Sequence, residues 1–518
     1  MLPPKDGLAR RESGDIERQD AYALAGDTLH GIASFLHLES GDVYTMRPEK
    51  NSKWYQKLLD LGIEENGIKP VPVELRTQTK YSDIFTVFFS CLLNILPIPT
   101  GAMATITFGL SLKESALIIL FFAVLTSIPP AFIGVGGYKT GMRQMVQARY
   151  SFGLYLVTIP ILFNAATLTG FSLMSAIFGG QTLAVVNPGA NISVNTGIVV
   201  VCILSFFASF LGYNAVHLWE RYQWIPNLIA LFIMVGCSHK ELYQQRESPS
   251  SDATRILSYG GLMAGYFLTF GGTVSDYSIY HKPTTAKKRI FSYLMLAFIT
   301  PSVPLLVFGA AIGGALPNAP PWQRAFESHG IGGVLAEILA PLGGFGKVIL
   351  VMLALSIIGN VSISMYSISL CLQMILPIFA NVHRFIWVTV TMAVMVPLAL
   401  KTAESWEVSL TNYLALIGYW AGCFDAVVVE ELVIFRKMDW STFDHSIWNV
   451  GRSLPTGIPA VVASLISLSL VVPGMETSLY TGPIAEKTGD IGFIVAVFTT
   501  GLFYIPLRWF EIRWRGHL

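Results

Sequence analysis

One carboxylate in this chain stands where a carboxylate is costly. Asp425 lies in the middle of "YWAGCFDAVVVEELVIF", an otherwise apolar run that ends near Glu430 and Glu431. An acid inside a hydrophobic segment is a functional candidate by default, because its charged form is poorly tolerated away from water. Three chemistries are open to it: carrying a proton, facing a solvated vestibule, or pairing with an Arg or Lys near Glu430 and Glu431. Asp276, in "TVSDYSIY", closes another apolar run. It is either a solvated helix end or the partner of Arg149 in a gate.

Uncharged polar groups are more numerous. Asn94 falls in "NILPIPTGA". Asn164, Thr167, Thr169, Ser172 and Ser175 run along one apolar segment, and Asn360, Ser362, Ser364 and Ser367 along another. Separations of two, three and four residues place many of them on a common helix face. Such a face suits a neutral, hydrogen-bonding solute. Phe171 and Tyr266 supply rings to sandwich a flat heterocycle, since π faces prefer offset stacking. The alternative for each Ser or Thr is a bond to a carbonyl of its own helix. Other chemistries lack their parts. The chain has no GxxxxGK[ST] loop, no GxSxG and no HExxH, so ATP-driven pumping and those hydrolytic mechanisms have no machinery. No enzyme activity, cofactor or metal ion is expected. Channel, receptor and secondary transporter remain.

The elements that must position these groups are membrane helices. Only 13% of the 518 residues are charged and 53% are hydrophobic, against about 25% charged in a soluble domain. Residues 1–80 hold 24 of the 67 Asp, Glu, Lys and Arg residues, and none occurs from Tyr150 to Trp219. About 20 apolar residues cross a bilayer, so that uncharged stretch reads as several crossings. Twelve apolar segments are expected, at about 82–108, 114–136, 153–181, 194–213, 222–238, 256–279, 291–316, 345–372, 384–401, 410–434, 456–474 and 489–507. The expectation is an all-α polytopic membrane protein. A cytosolic tail over 1–80 precedes a transporter domain over 81–507 and a C-terminal tail over 508–518. The first 20 residues are charged and contain no secretory h-region. All five cysteines fall in apolar segments, which speaks against a disulfide framework.

Orientation follows from Lys and Arg in short loops. With both termini inside, twelve such residues face inward and seven outward. The sequon Asn191-Ile-Ser193 then faces outward as a glycosylation candidate. The inner set includes Lys139, Arg143 and Arg149 of "GYKTGMRQMVQARYSFG", which can meet lipid phosphates, while Arg143 and Arg149 can instead brace neighbouring helices.

Two segments are interrupted. Pro97, Pro99 and Gly101 interrupt the first, because proline removes a donor and clashes with the preceding turn. Glycines 260, 261, 265, 271 and 272 interrupt the sixth. The interruptions stand five helices apart, at corresponding places in two five-helix repeats. Paired interruptions of that kind point to the substrate site of a secondary transporter. Packing by small residues is the alternative for the lone glycines.

The loop "GYKTGMRQMVQARYSFG" resembles the one after the second helix in fungal purine–cytosine permeases, of the nucleobase–cation–symport-1 family. "GIKPVPVELRT", "HLWERYQWIP", "SDYSIY", "GFGKVILVMLALSIIGN", "GYW", "EELVIFRK" and "GDIGFIVAVFTTGLFYIPLRWFE" agree in order, from about residue 60 to the end. The resemblance implies a LeuT-like fold, two inverted five-helix repeats followed by two more helices. It also implies proton-coupled plasma-membrane uptake of nucleobases, with helices 1, 2, 6 and 7 rocking against 3, 4, 8 and 9. Sodium is the other coupling ion to consider. At the site the pattern departs. Gly170-Phe171 and Gly265-Tyr266 stand where the family carries Gly-Trp, and Ser175 stands where it carries Asn. "NVSISMYS" keeps Asn360, Tyr366 and Ser367 but places Val361 and Ser364 at two further Asn positions. A serine offers one hydroxyl where an amide offers a paired donor and acceptor. The expected substrate is therefore a small heteroaromatic solute other than cytosine and the common purines. An exporter of a specialised metabolite or vitamin-like compound, or a solute sensor, is the alternative.

Overall fold

A computed structural model describes residues 67–187, 189, 192–210, 212–247 and 252–518 of the chain. Most of the N-terminal tail and the sequon residue Asn191 lie outside the described residues. In chain order the helices are α1 Ser82–Leu92, α2 Pro97–Ile106, α3 Leu112–Ile133, α4 Val135–Thr140, α5 Gln144–Phe152 and α6 Thr158–Ala184. Then come α7 Val194–Phe210, α8 Gly212–Leu242, α9 Ala253–Leu268, α10 Lys287–Ala315, α11 Pro320–Leu339 and α12 Gly343–Leu355. The last six are α13 Ile357–Ile375, α14 Arg384–Thr402, α15 Trp406–Glu430, α16 Ile458–Val471, α17 Ala485–Thr488 and α18 Gly492–Arg515.

Each of the twelve expected apolar segments overlaps one or two of these helices. By length and composition, six helical stretches among the described residues can cross a membrane, or seven if the α1–α2 pair is one span. Large side chains such as Phe121, Phe232 and Phe498 stand 62%, 68% and 74% exposed on the outer faces of α3, α8 and α18. Apolar surface of that extent requires a lipid surround.

The first interruption lies earlier than the prolines suggest. α1 ends at Leu92, the chain is non-helical over residues 93–96, and α2 begins at Pro97 with a bend of 54°. Proline is well placed in the first turn of a helix, where its missing N–H would have no partner anyway. Pro97 and Pro99 therefore start the second half-helix instead of unwinding it. Gly101 is helical, and a Cβ there would meet Leu306 O of α10 at 1.9 Å. The second interruption falls at Gly271 and Gly272 only; Gly260, Gly261 and Gly265 stay inside α9, where they serve close packing instead. α9 ends at Leu268 and continues as two short 3-10 turns, Thr269–Gly272 and Val274–Tyr277.

The helices sort into two groups by contact. α1, α2 and α3 pack on α10, and α9 packs on α3. Separately, α6 packs on α7, α13 and α14, and α13 packs on α7 and α14. α15 touches both groups, through α9 and α6, and leans on α18. One face gathers the start of the described chain, the α4–α5 loop and the C-terminus. There Arg76 donates to the carbonyls of Val71, Tyr138, Lys139 and Thr140. A cation suits the C-terminal end of α4, where carbonyls lack helical partners. Arg515 likewise donates to the carbonyls of Arg452 and Leu454. This is called the terminal face below.

Candidate solute site between the broken helices

The polar row expected on α6 divides into two sets. Thr169 and Ser172 donate to Ala165 O and Leu168 O of their own helix, the local bond that hydroxyls make in helices. Asn164, Thr167, Phe171 and Ser175 instead reach other elements. Their spacing of three, four and four residues forms one stripe along the helix.

At one end of the stripe, Ser175 Oγ donates to Asn360 Oδ1 of α13 at 3.3 Å. Asn360 Nδ2 then approaches Cys91 O at 3.4 Å and Cys91 Sγ at 3.3 Å, at the last turn of α1. Asn94 stabilises the break that follows. Its Nδ2 donates to Cys91 O at 2.6 Å and its Oδ1 accepts from Leu96 N at 2.7 Å. Asn227 of α8 donates to Leu93 O in the same break. Backbone released from a helix inside a membrane needs such partners. Ser364, one turn from Asn360, is buried.

The rings meet each other. Phe171 and Tyr266 lie edge to face, with centroids 6.2 Å apart and planes at 88°. Phe171 meets Tyr413 of α15 in the same way, at 5.3 Å and 86°. Edge-to-face contact is a favourable aromatic geometry in its own right. In this conformation the two expected sandwich rings are perpendicular and in contact, with no slot between them. Gly265 is the neighbour of Tyr266 and serves a helix crossing, since a Cβ there would meet Leu414 O at 1.8 Å.

The middle of the stripe binds α15. Thr167 Oγ1 accepts from Trp420 Nε1 at 2.9 Å, and Thr167 O accepts from the Tyr413 hydroxyl. At the far end, Asn164 Nδ2 donates to Cys371 Sγ at 3.3 Å. Asn164 Oδ1 is buried without a hydrogen-bond partner, and so are both oxygens of Asp425. Asp425 is 1% exposed. The two groups flank the interrupted sixth segment. A Cβ on Gly271 would lie 1.9 Å from Asp425 Oδ1, and one on Gly272 would lie 2.3 Å from Asn164 Oδ1. Insertion of an aspartate at a helix centre costs about 3 kcal/mol, and among the described residues no counter-ion pairs with it.

On the terminal face, Asp276 Oδ1 accepts from Gln144 N at 2.8 Å, the first amide of α5. An acid at a helix N-terminus is favourable. Arg149 leaves the other end of α5. It donates to Trp448 O and Asn449 Oδ1 and lies over the Trp448 ring. Close by, Glu431 holds a buried ionic cluster. Arg508 donates to both its carboxylate oxygens at 3.0 and 3.1 Å, Arg436 approaches at 3.0 Å, and the Tyr504 hydroxyl donates at 2.8 Å. Arg508 also bonds Glu511, which accepts from Thr456. Arg436 continues to Tyr150 O in α5. On the opposite face, a cavity of about 350 Å³ is lined by Thr107, Ser258, Glu407, Asn412, Glu476 and Asp490 among others.

Three participants escape sequence reasoning. Cys91 reads as an apolar filler, and Asn227 lies outside any polar row. Tyr413 carries no motif, although it stands seven residues before Trp420 and so shares its helix face. That spacing was the available signal.

Interrupted first and sixth segments, a polar face on the third and eighth, and a bridging tenth define a membrane transporter of solutes, not an enzyme. The chain matches the family model described as permease for cytosine/purines, uracil, thiamine, allantoin over residues 70–238 and 242–496. It belongs to that family. It is 29% identical over 482 residues to purine-cytosine permease fcyB of Emericella nidulans, covering 92% of this chain and 94% of that one. It is 26% identical over 519 residues to vitamin B6 transporter TPN1 of Saccharomyces cerevisiae, covering 89% and 90%. Its fold matches Mhp1, a nucleobase-cation-symport-1 family transporter in a closed conformation with bromovinylhydantoin bound. The TM-score is 0.66 at 13% identity, over 87% of this chain and 96% of that one. The architecture is thus LeuT-like.

Proposed function

We propose that this protein moves a small, neutral, nucleobase-like heteroaromatic solute across the plasma membrane by alternating access, with a proton as the coupling ion. Twelve crossings, both termini in the cytosol and glycosylation of Asn191 complete the reading. The observation that carries it is the α6 stripe. Phe171 and Ser175, one turn apart, present an aromatic contact and a hydroxyl–amide pair toward the broken first and sixth segments. Phe171, Tyr266 and Ser175, with Asn360 and Ser364, are the residues proposed to read the solute. Asn94, Gly101 and Gly265 shape the backbone around it. Asp425, Asp276 and Arg149 are the candidates for coupling and gating.

Smaller rings and hydroxyls in place of indoles and amides favour a solute other than cytosine and the common purines. A site built for an amide-like edge loses heavily when one partner is missing. A vitamin-like pyridine is in the favoured class, in line with the printed name of the vitamin B6 relative. The test is uptake of radiolabelled cytosine, adenine, hypoxanthine and pyridoxine in cells lacking their own permeases. Saturable, protonophore-sensitive pyridoxine uptake is expected. Saturable micromolar cytosine or adenine uptake refutes the change of substrate but keeps the transport reading.

A further inference from the structure

Two buried acceptors face the same pair of glycines, and neither has a donor. Asp425 presents both carboxylate oxygens, and Asn164 its amide oxygen, without any hydrogen-bond partner. Asp425 comes from α15, Asn164 from α6, and Gly271 and Gly272 from the 3-10 turn that follows α9. Three elements, one from each of the two packing groups and the bridging α15, therefore converge on one spot.

The surrounding charges are engaged elsewhere. Glu431 is held by Arg508 and Arg436, and Asp276 meets Gln144 N. Arg149 bonds Trp448 and Asn449, and Asp490 accepts from Tyr419. Glu430, five residues after Asp425, lies against Gly501 of α18 and also keeps one buried oxygen without a partner, but it does not face the Gly271–Gly272 turn. At the outer end of α3, Glu114 bonds Ser111. Tyr150 of α5 donates to Asp444 O. Cys423, on the same helix as Asp425, points to Ser467 and Ala496 O.

An ionised carboxylate with no donor and no cation is not tolerated in such a site; it takes up a proton instead. A bound metal cation would need several oxygens around a space of its own. The Asp425 oxygen instead packs directly over Gly271, leaving 1.9 Å to where a Cβ would sit. A proton requires no such volume.

We propose that Asp425, with Asn164 beside it across Gly271–Gly272, is the proton-carrying site of this transporter. The carboxyl is protonated in this conformation. Its O–H bond forms with a proton arriving from the opposite face and breaks when that proton passes to water on the terminal face. Trp420 links this step to the solute. Its Nε1 bonds Thr167 on the solute stripe, while its ring lies 3.5 Å from a Cβ placed on Gly272. The proposal rests on the transport reading above.

The first test needs no solute. Infrared spectra of the purified full-length protein at neutral pH should show the isotope-sensitive C=O band of a protonated carboxylic acid. A component of the band is expected to be lost in Asp425→Asn. The same difference on adding Asp425→Asn should persist in a Glu430→Gln background, which removes any contribution of that second buried carboxyl. An unchanged Asp425→Asn spectrum overturns the proposal. Should Asp425→Asn fail to reach the membrane, Asp425→Glu carries the test, and it must keep the band at a displaced frequency. The second test is uptake of cytosine, adenine and pyridoxine. Asp425→Asn should lower the accumulation ratio at least tenfold while exchange of preloaded solute persists. Accumulation that survives in Asp425→Asn, or that stops when choline replaces sodium, overturns it. A wild type that shows the band but takes up none of the three probes supports the protonated site and refutes the solute reading.

Discussion

Asn360 of α13 and Cys91 of α1 are joined twice, by Asn360 Nδ2 to the Cys91 carbonyl and to its sulfur. The joint ties one packing group to the other at the residue where the first helix stops. It also orients Asn360 Oδ1 toward Ser175. If the solute passes here as proposed above, a side chain fixed on both sides is placed to sense its presence.

Asn360→Ala is expected to lower saturable uptake about tenfold, equivalent to about 1.4 kcal/mol. Stability should fall by only about 1 kcal/mol, the usual net worth of a hydrogen bond. Uptake normalised to surface expression, together with the unfolding midpoint of the purified protein, separates the two effects. Unaltered uptake would remove Asn360 from the site.

Gly265→Ala places a methyl 1.8 Å from Leu414 O. Backbone cannot yield as a side-chain tip can, so α9 and α15 must separate. Overpacking of this kind costs about 1–3 kcal/mol. Gly236→Ala is the control, since nothing lies within 4 Å of its Cβ position. Thermal unfolding in detergent should show a lower midpoint for the first and an unchanged or raised one for the second.

Glu431→Gln leaves Arg436 and Arg508 deep in the protein with one carboxylate fewer. Breaking a buried ion pair on one side costs about 3–5 kcal/mol. Lys401→Ala breaks the exposed pair with Glu404, whose side chains are 80% and 67% accessible. It should cost less than about 1 kcal/mol. Comparable losses in the two variants would contradict the buried cluster.

Asp490 lies in the loop before α18 and gives stability a pH dependence. Burial pushes its carboxyl up to about 6, against hydrogen bonds from Tyr419 and Gly492 N that pull it down. A carboxyl raised in the folded state holds its proton there after the unfolded chain has released it. Stability is therefore greater at about pH 4 and declines as pH rises to about 6, by up to about 3 kcal/mol. Asp490→Asn keeps an acceptor for Tyr419 and should flatten that decline. Unfolding midpoints at pH 4.5 and 7.5 for both proteins give the comparison.

Much of the architecture is legible in local pattern. Uncharged runs mark helices, and Gly271-Gly272 marks the point where α9 loosens into 3-10 turns. Local pattern fails where a residue serves a partner far along the chain. Pro97 and Pro99 look disruptive, yet they open α2, because proline is comfortable in a first turn. Tyr413 finds Thr167 across 246 residues, and nothing near either residue announces it. Phe171 and Tyr266 read as two rings for a sandwich, but only packing could set their planes at 88°. Nothing around Asp276 says that it will meet the first amide of α5.

Glu431 leaves the ribosome 77 residues before Arg508. Until α18 is made, its carboxylate has only Arg436 as a partner. The buried cluster is therefore finished only when α18 packs against α15. A nascent protein that stops short of Arg508 keeps Arg436 as the one cation on Glu431, without the two-pronged guanidinium that, with the Tyr504 hydroxyl, completes its partners. Truncation at residue 505 should therefore shorten the lifetime of the protein in the cell more than its length suggests.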